Sequence, residues 1–133
     1  MVQKTLLRRS GEWQALHAVG SYAQGYRAGD FVFLQGQTGL TLDGELVGVG
    51  DPAAQTRQAM ENIRALMQLA GGDLSDVVKM VVYITERAYR AQVYPVIDEF
   101  FGAQKPCSTG VVVKGLALEE LVVEIDAYGV IEG

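Results

Sequence analysis

Cysteine and histidine each occur only once in the chain, as Cys107 and His17. A lone cysteine excludes an intramolecular disulfide, and one histidine with one cysteine gives no cluster of the kind that holds zinc or iron. Metal-dependent chemistry is therefore not expected. Basic residues are also scarce: eleven Lys and Arg face sixteen Asp and Glu, the net charge is −5, and no basic run exceeds the Arg8-Arg9 pair. Affinity for a phosphate backbone comes largely from neutralising cations, so nucleic acid is not an expected partner. No run of about 18 apolar residues occurs, and Met1 to Gly11 contains no apolar stretch fit for a signal peptide. A cytoplasmic protein with no membrane partner is the expectation.

What is present suits one globular domain spanning residues 1–133. Hydrophobic residues make up 49% of the chain and charged ones 20%, too apolar for disorder and enough to build a core. Lys4 to Arg9 reads as an edge strand ending at Ser10-Gly11. Ala23 to Arg27 and Phe31 to Gln35 read as a hairpin around Ala28-Gly29-Asp30, with glycine supplying the turn. The Leu42-Asp43-Gly44-Glu45 turn signal makes residues 38–49 a short ribbon or loop.

Asp51-Pro52 opens the first helix, the aspartate accepting from a free helix N–H and the proline standing where no donor is needed. Met60, Ile63, Met67 and Ala70 recur at helical spacing, widened by Ala59 and Leu66, and Gly71-Gly72 stops the helix. Val77 to Thr85 is an apolar, β-branched strand of the kind buried on both faces. A second helix follows near Arg87 to Gly102, with Val93, Val96, Ile97 and Phe100 on one face. Pro95 predicts a kink, or a main helix that begins only near Tyr94. Thr109 to Lys114 and Leu121 to Val130 read as the last strands.

The layout is an α+β domain with two helices packed on one face of a mixed β-sheet. Two helices cover only one face. The other leaves apolar strand residues in water, and burial against sister chains in a symmetric homo-oligomer is the simplest remedy.

From His17 onward the chain resembles the reactive intermediate deaminase (Rid) family, also called the YjgF family. The resemblance is carried by Ser21-Tyr22-Ala23-Gln24-Gly25, by Gly29 to Gln37, and by Asp51 to Gly71 with Gln55, Asn62 and Ile63. Its C-terminal part is Pro106-Cys107-Ser108-Thr109 leading to Leu121-Val122-Val123-Glu124-Ile125-Asp126-Ala127. It implies a chorismate-mutase-like fold and a homotrimer with small-metabolite clefts between subunits. The activity implied is hydrolysis of enamines and imines such as 2-aminoacrylate to a keto acid and ammonia, without metal or organic cofactor.

The resemblance assigns Glu124 as the water-positioning glutamate, Tyr22 as the pocket tyrosine and Gly36 as the glycine whose N–H faces the ligand. Gln35 stands where the deaminases usually carry serine, and Gly110 where many carry cysteine or threonine. Ser108 occupies the place of the arginine that grips the substrate carboxylate, flanked by Cys107 and Thr109. A bidentate guanidinium pair exceeds the roughly 1.5–3 kcal/mol of one charge-assisted hydrogen bond, and a serine hydroxyl does not replace it. The Pro-x-Ser-Thr motif is similar to arginine-lacking branches of the family, for which imine deamination is not implied.

Each residue also has a plainer reading. Glu124 and Asp126 alternate onto one strand face, where acidic pairs usually meet solvent. Tyr22 suits a half-buried strand, Cys107 a small packed thiol, His17 a surface or packing role, and Ser108-Thr109 local backbone pairing. Arg27, Lys105 and Lys114 are candidate replacements for the missing cation, though exposed basic residues are the default. Two functions stay open: a metabolite-binding protein that hydrolyses an imine, enamine or related C–N species but is not a typical 2-aminoacrylate deaminase, and a non-catalytic ligand-sensing or chaperone-like trimer. An endoribonuclease is a third, disfavoured by acidity.

Overall fold

A computed structural model of the protein describes residues 1–7 and 22–133. The Ser10-Gly11 turn, Arg8-Arg9, Ser21 and His17 lie outside the described residues. Six strands, β1 (Lys4–Leu6), β2 (Gly25–Ala28), β3 (Phe31–Leu34), β4 (Val77–Ile84), β5 (Cys107–Val112) and β6 (Val123–Val130), form one sheet in the order β1-β2-β3-β6-β4-β5. Every neighbouring pair is antiparallel except β4 and β5. Helices α1 (Pro52–Leu69) and α2 (Arg90–Phe100) connect β3 to β4 and β4 to β5.

Local chemistry sets these elements. Ala28 pairs with Phe31, so Gly29 and Asp30 make a two-residue loop in which Gly29 takes φ +61°, a conformation open to glycine. Asp51 Oδ1 accepts from the Ala54 N–H at 3.1 Å, with Pro52 as the first helical residue. At the other end of α1, Gly71 at φ +97° lets its N–H reach the Gln68 carbonyl while the Gly72 N–H reaches that of Met67.

Burial follows the strand alternation. Val32 and Leu34 of β3, Met80, Val82 and Ile84 of β4, and Val123, Ile125 and Ala127 of β6 point to the helix layer. There they meet Ala59, Met60, Ile63, Leu66 and Met67 of α1 with Val93 and Ile97 of α2. Gly129 has no side chain because Met67 Cε comes within 2.5 Å of where a β-carbon would stand.

The opposite face carries no helix. Phe31 and Phe33 are 56% and 49% exposed, and Phe33 packs edge-on against Tyr128 with ring centroids 6.2 Å apart. The chain itself leaves this aromatic patch uncovered.

Three sequence expectations change. The main helix starts at Arg90, after a 3-10 turn at Arg87–Tyr89, and not at Tyr94; α2 continues through Pro95. The N–H that Pro95 lacks would have bonded to Ala91, and both residues are exposed, so that carbonyl is open to solvent. Strand β5 begins at Cys107, two residues early, because its parallel register on β4 runs from Lys79. Within the single chain Val77 to Thr85 is buried on its helix face alone: Lys79, Val81 and Tyr83 turn to the open side, where the chain itself supplies no cover.

Candidate active site

The helix-free face ends in a cleft where the Gln24–Thr41 segment crosses the start of β6. Its wall contains Tyr22, Gln24, Gln35, Gly36, Gln37 and Glu124, and its rim includes Thr38, Leu40, Thr41, Gly44, Ala117 and Leu121. The cavity measures about 60 Å³, enough for several water molecules or a small polar fragment.

Glu124 and Asp126 share this face by strand alternation, and both turn toward Gly36. A β-carbon on Gly36 would fall onto the Glu124 carboxylate and come within 2.9 Å of Asp126 Oδ1. Glycine here lets a carboxylate lie directly against the chain. Burial, reinforced by the charge of Asp126, raises the Glu124 carboxyl above its ordinary value. A carboxylate so placed accepts a proton more readily near neutral pH than an exposed one.

Two tyrosines attend this acidic pair. The Tyr83 hydroxyl donates to Asp126 Oδ2 at 3.0 Å; that bond, then burial and the nearby carboxylates, raise its pKa. Tyr22 is also raised, first by burial and then by the charge of Glu124, with a hydrogen bond to the Gln35 side chain working against both. Both phenols therefore stay protonated and able to donate.

Buried amides fix the cleft walls. Gln37 Nε2 donates to Gln24 Oε1 at 3.0 Å and to the Gln35 carbonyl at 2.9 Å, tying three wall residues together. Gln55, wholly buried in α1, donates to the carbonyls of Gly48 and Glu120 and accepts from the Val122 N–H, so one side chain joins two loops to the helix. Asn62 Nδ2 donates to the Leu40 carbonyl. Sequence reading placed Gln55 and Asn62 in a motif without a role; their burial on a helix face was the available signal. Tyr83, Gln24 and Gln37 were not singled out, because an aromatic or amide in a strand carries no local mark of what it will face.

The structure brings together Tyr22, Gln35, Gly36 and Glu124, and does not bring Cys107, Ser108 or Thr109 to them. Those three lie on β5 at the far edge of the sheet, all exposed. Cys107 Sγ donates to the Val78 carbonyl at 3.2 Å, and Thr109 Oγ1 accepts from Lys79 Nζ at 2.7 Å. Ser108 pairs with Met80 and so points to the helix side. Of the basic candidates, Arg27 is occupied by the carbonyls of Gly29, Ala70 and Ile131, and Lys105 pairs with Asp98. Among the described residues no group of three His, Cys, Asp or Glu could hold a metal ion, and no helix is long and apolar enough to cross a membrane.

Known proteins are similar to this chain in sequence and fold. Residues 12–131 match the family model described as endoribonuclease L-PSP. A RutC family protein of Pyrococcus horikoshii is 39% identical over 112 residues, covering 82% of this chain and 86% of its own. The crystal structure of the Rid-family protein YyfA of Yersinia pestis superposes with a TM-score of 0.85 at 27% identity, covering 97% of this chain and 100% of its own. A member of the YjgF/YER057c/UK114 family from Mycobacterium tuberculosis gives 0.80 at 32% identity, covering 97% and 100%. With the mixed sheet, the two helices on one face and the matched span all in agreement, the chain belongs to the Rid/YjgF family.

Proposed function

We propose that the protein binds a small metabolite in the Glu124 cleft and hydrolyses an imine, enamine or related C–N species there, and that it is not a typical 2-aminoacrylate deaminase. The observation that carries this reading is the Glu124 carboxylate, lifted in pKa and laid against Gly36 in a cleft walled by two hydrogen-bonded glutamines and Tyr22. As water attacks the C=N carbon, Glu124 takes its proton and the C–N π electrons move to nitrogen. Glu124 returns that proton to nitrogen to give a carbinolamine, then takes the hydroxyl proton and passes it to the amine, so that the C=O bond forms as the C–N bond breaks and ammonia leaves a carbonyl product. No cofactor is needed for these steps.

The β5 edge of a neighbouring copy completes the ligand site, Ser108 by its side chain and Cys107 and Thr109 by the backbone that flanks it, because these residues lie at the sheet edge and the aromatic face is suited to burial between copies in a homotrimer. Serine at position 108 then offers a substrate carboxylate no fixed charge from β5. The name of the matching family favours a ribonuclease, but a net charge of −5 opposes binding to a phosphate backbone.

The test is ammonia release from a panel of imines and enamines generated in place, with purified protein. The reading expects hydrolysis above the uncatalysed rate for C=N species other than 2-aminoacrylate and slow turnover of 2-aminoacrylate itself. Rapid turnover of 2-aminoacrylate would defeat the specificity claim. No acceleration across the panel would favour the non-catalytic, ligand-sensing trimer.

A further inference from the structure

Glycine at position 110 leaves a gap on the helix side of β5, and the gap is filled from α2. Gly110 pairs with Val82 and Ser108 with Met80, so both face the helix layer, about 7 Å apart along the strand. A β-carbon on Gly110 would overlap the Tyr94 hydroxyl and stand 3.4 Å from Nη1 of Arg90. Arg90, the first residue of α2, lies over the Tyr94 ring with its guanidinium carbon 4.7 Å from the centroid.

This arrangement orients a cation. Stacking uses one face of the guanidinium and leaves the N–H groups along its edge free, which is the geometry that receives a carboxylate in bidentate fashion. No carboxylate among the described residues pairs with Arg90. The charge absent from β5 at Ser108 is therefore present one side-chain position along the strand, carried by the neighbouring helix.

We infer that Arg90, held by Tyr94 above Gly110, is the anion-recognising residue of this protein, with the Ser108 hydroxyl beside it, and that the ligand is a carboxylate-bearing C=N compound. The inference deepens the reading of the cleft as a metabolite site and rests on it for the C=N part of the ligand; anion recognition at Arg90 stands by itself. Because the guanidinium is displaced along β5 and comes from α2, the carboxylate it grips belongs to a ligand of different span from one anchored by a side chain at position 108. Arg90 is thus a specificity-determining residue, and the substitutions at 108 and 110 belong together: the first removes a cation and the second opens the space another occupies.

The experiment is a titration of the full chain with 2-oxobutyrate, a product-like keto acid, and with the neutral 2-oxobutanamide, followed by backbone amide NMR shifts. Expected for wild type are shifts at Ser108 to Val112 with the keto acid. Arg90→Gln should weaken its binding about tenfold or more, Arg90→Lys should retain part of it, and the amide should bind wild type and Arg90→Gln alike. Gly110→Ala, which displaces Tyr94, should weaken the keto acid in the same way. Arg90 is exposed, so unchanged melting of the Arg90→Gln variant is expected and checks the fold. Equal affinity of wild type and Arg90→Gln for 2-oxobutyrate, or no binding by wild type, overturns the inference. Shifts at Gly36 and Val123 to Ile125 report on the other half of the site: Arg90-dependent binding that leaves them silent keeps anion recognition at Arg90 and defeats the proposed hydrolytic cleft.

Discussion

The carboxylate of Glu124 occupies the space that a side chain on Gly36 would need. This contact fixes the acidic group against the backbone and dictates the residue at position 36. Gly36→Ala should push Glu124 out of place, lowering C=N hydrolysis at least tenfold and stability by about 1–3 kcal/mol. A melting curve and a rate assay on the same sample check it; an alanine variant with wild-type rate would show that the contact is not needed.

Glu124 titrates above its ordinary value because it is partly buried and faces Asp126. Its charged form is disfavoured in the folded state, so this group's contribution to stability is intact in acid, below the unfolded glutamate value, and is lost as pH rises through the raised folded value. Glu124→Gln should therefore melt above wild type near neutral pH and show no such advantage in acid. Asp126→Asn removes the second cause of the shift, and the acid limb of the activity profile should move to lower pH. A limb that stays in place would mean that Glu124 does not set it.

Phe33 and Tyr128 meet edge-on in the middle of the uncovered sheet face. Phe33→Glu puts a charge there, and sedimentation should show a trimer for wild type and a smaller species for the variant. Wild-type protein sedimenting as a stable monomer would contradict a site shared between copies.

Gln55 joins α1 to both the Gly48 and the Glu120–Val122 segments through three hydrogen bonds. Gln55→Leu keeps the volume and strands those backbone groups, at a cost of at least about 2 kcal/mol. Thermal denaturation should register a fall of roughly 6–12 °C.

Sequence reading recovered the helices, the hairpin and the bare sheet face because each leaves a local mark: Asp51-Pro52 and Gly71-Gly72 bracket α1, Gly29 turns the hairpin, and strand alternation sorts the faces. It placed Glu124, Gly36, Tyr22 and Gln35 in one site by resemblance, and the fold brings them together. Pro95 put the helix start too late, at Tyr94 in place of Arg90; the helix runs through it with the unbonded Ala91 carbonyl on an exposed residue. Arg90 was invisible because nothing near it in sequence marks a partner. Its significance arises only when β5 lies parallel to β4 and places Gly110 under Tyr94, a juxtaposition set by tertiary packing.

The most direct measurement is ammonia release by wild type and Glu124→Gln on the best C=N substrate of the panel, with 2-oxobutyrate binding measured alongside. Hydrolysis at this carboxylate predicts a loss of about 10²–10⁴-fold in turnover with binding and fold retained. Turnover that survives the substitution would place the chemistry elsewhere and contradict the account.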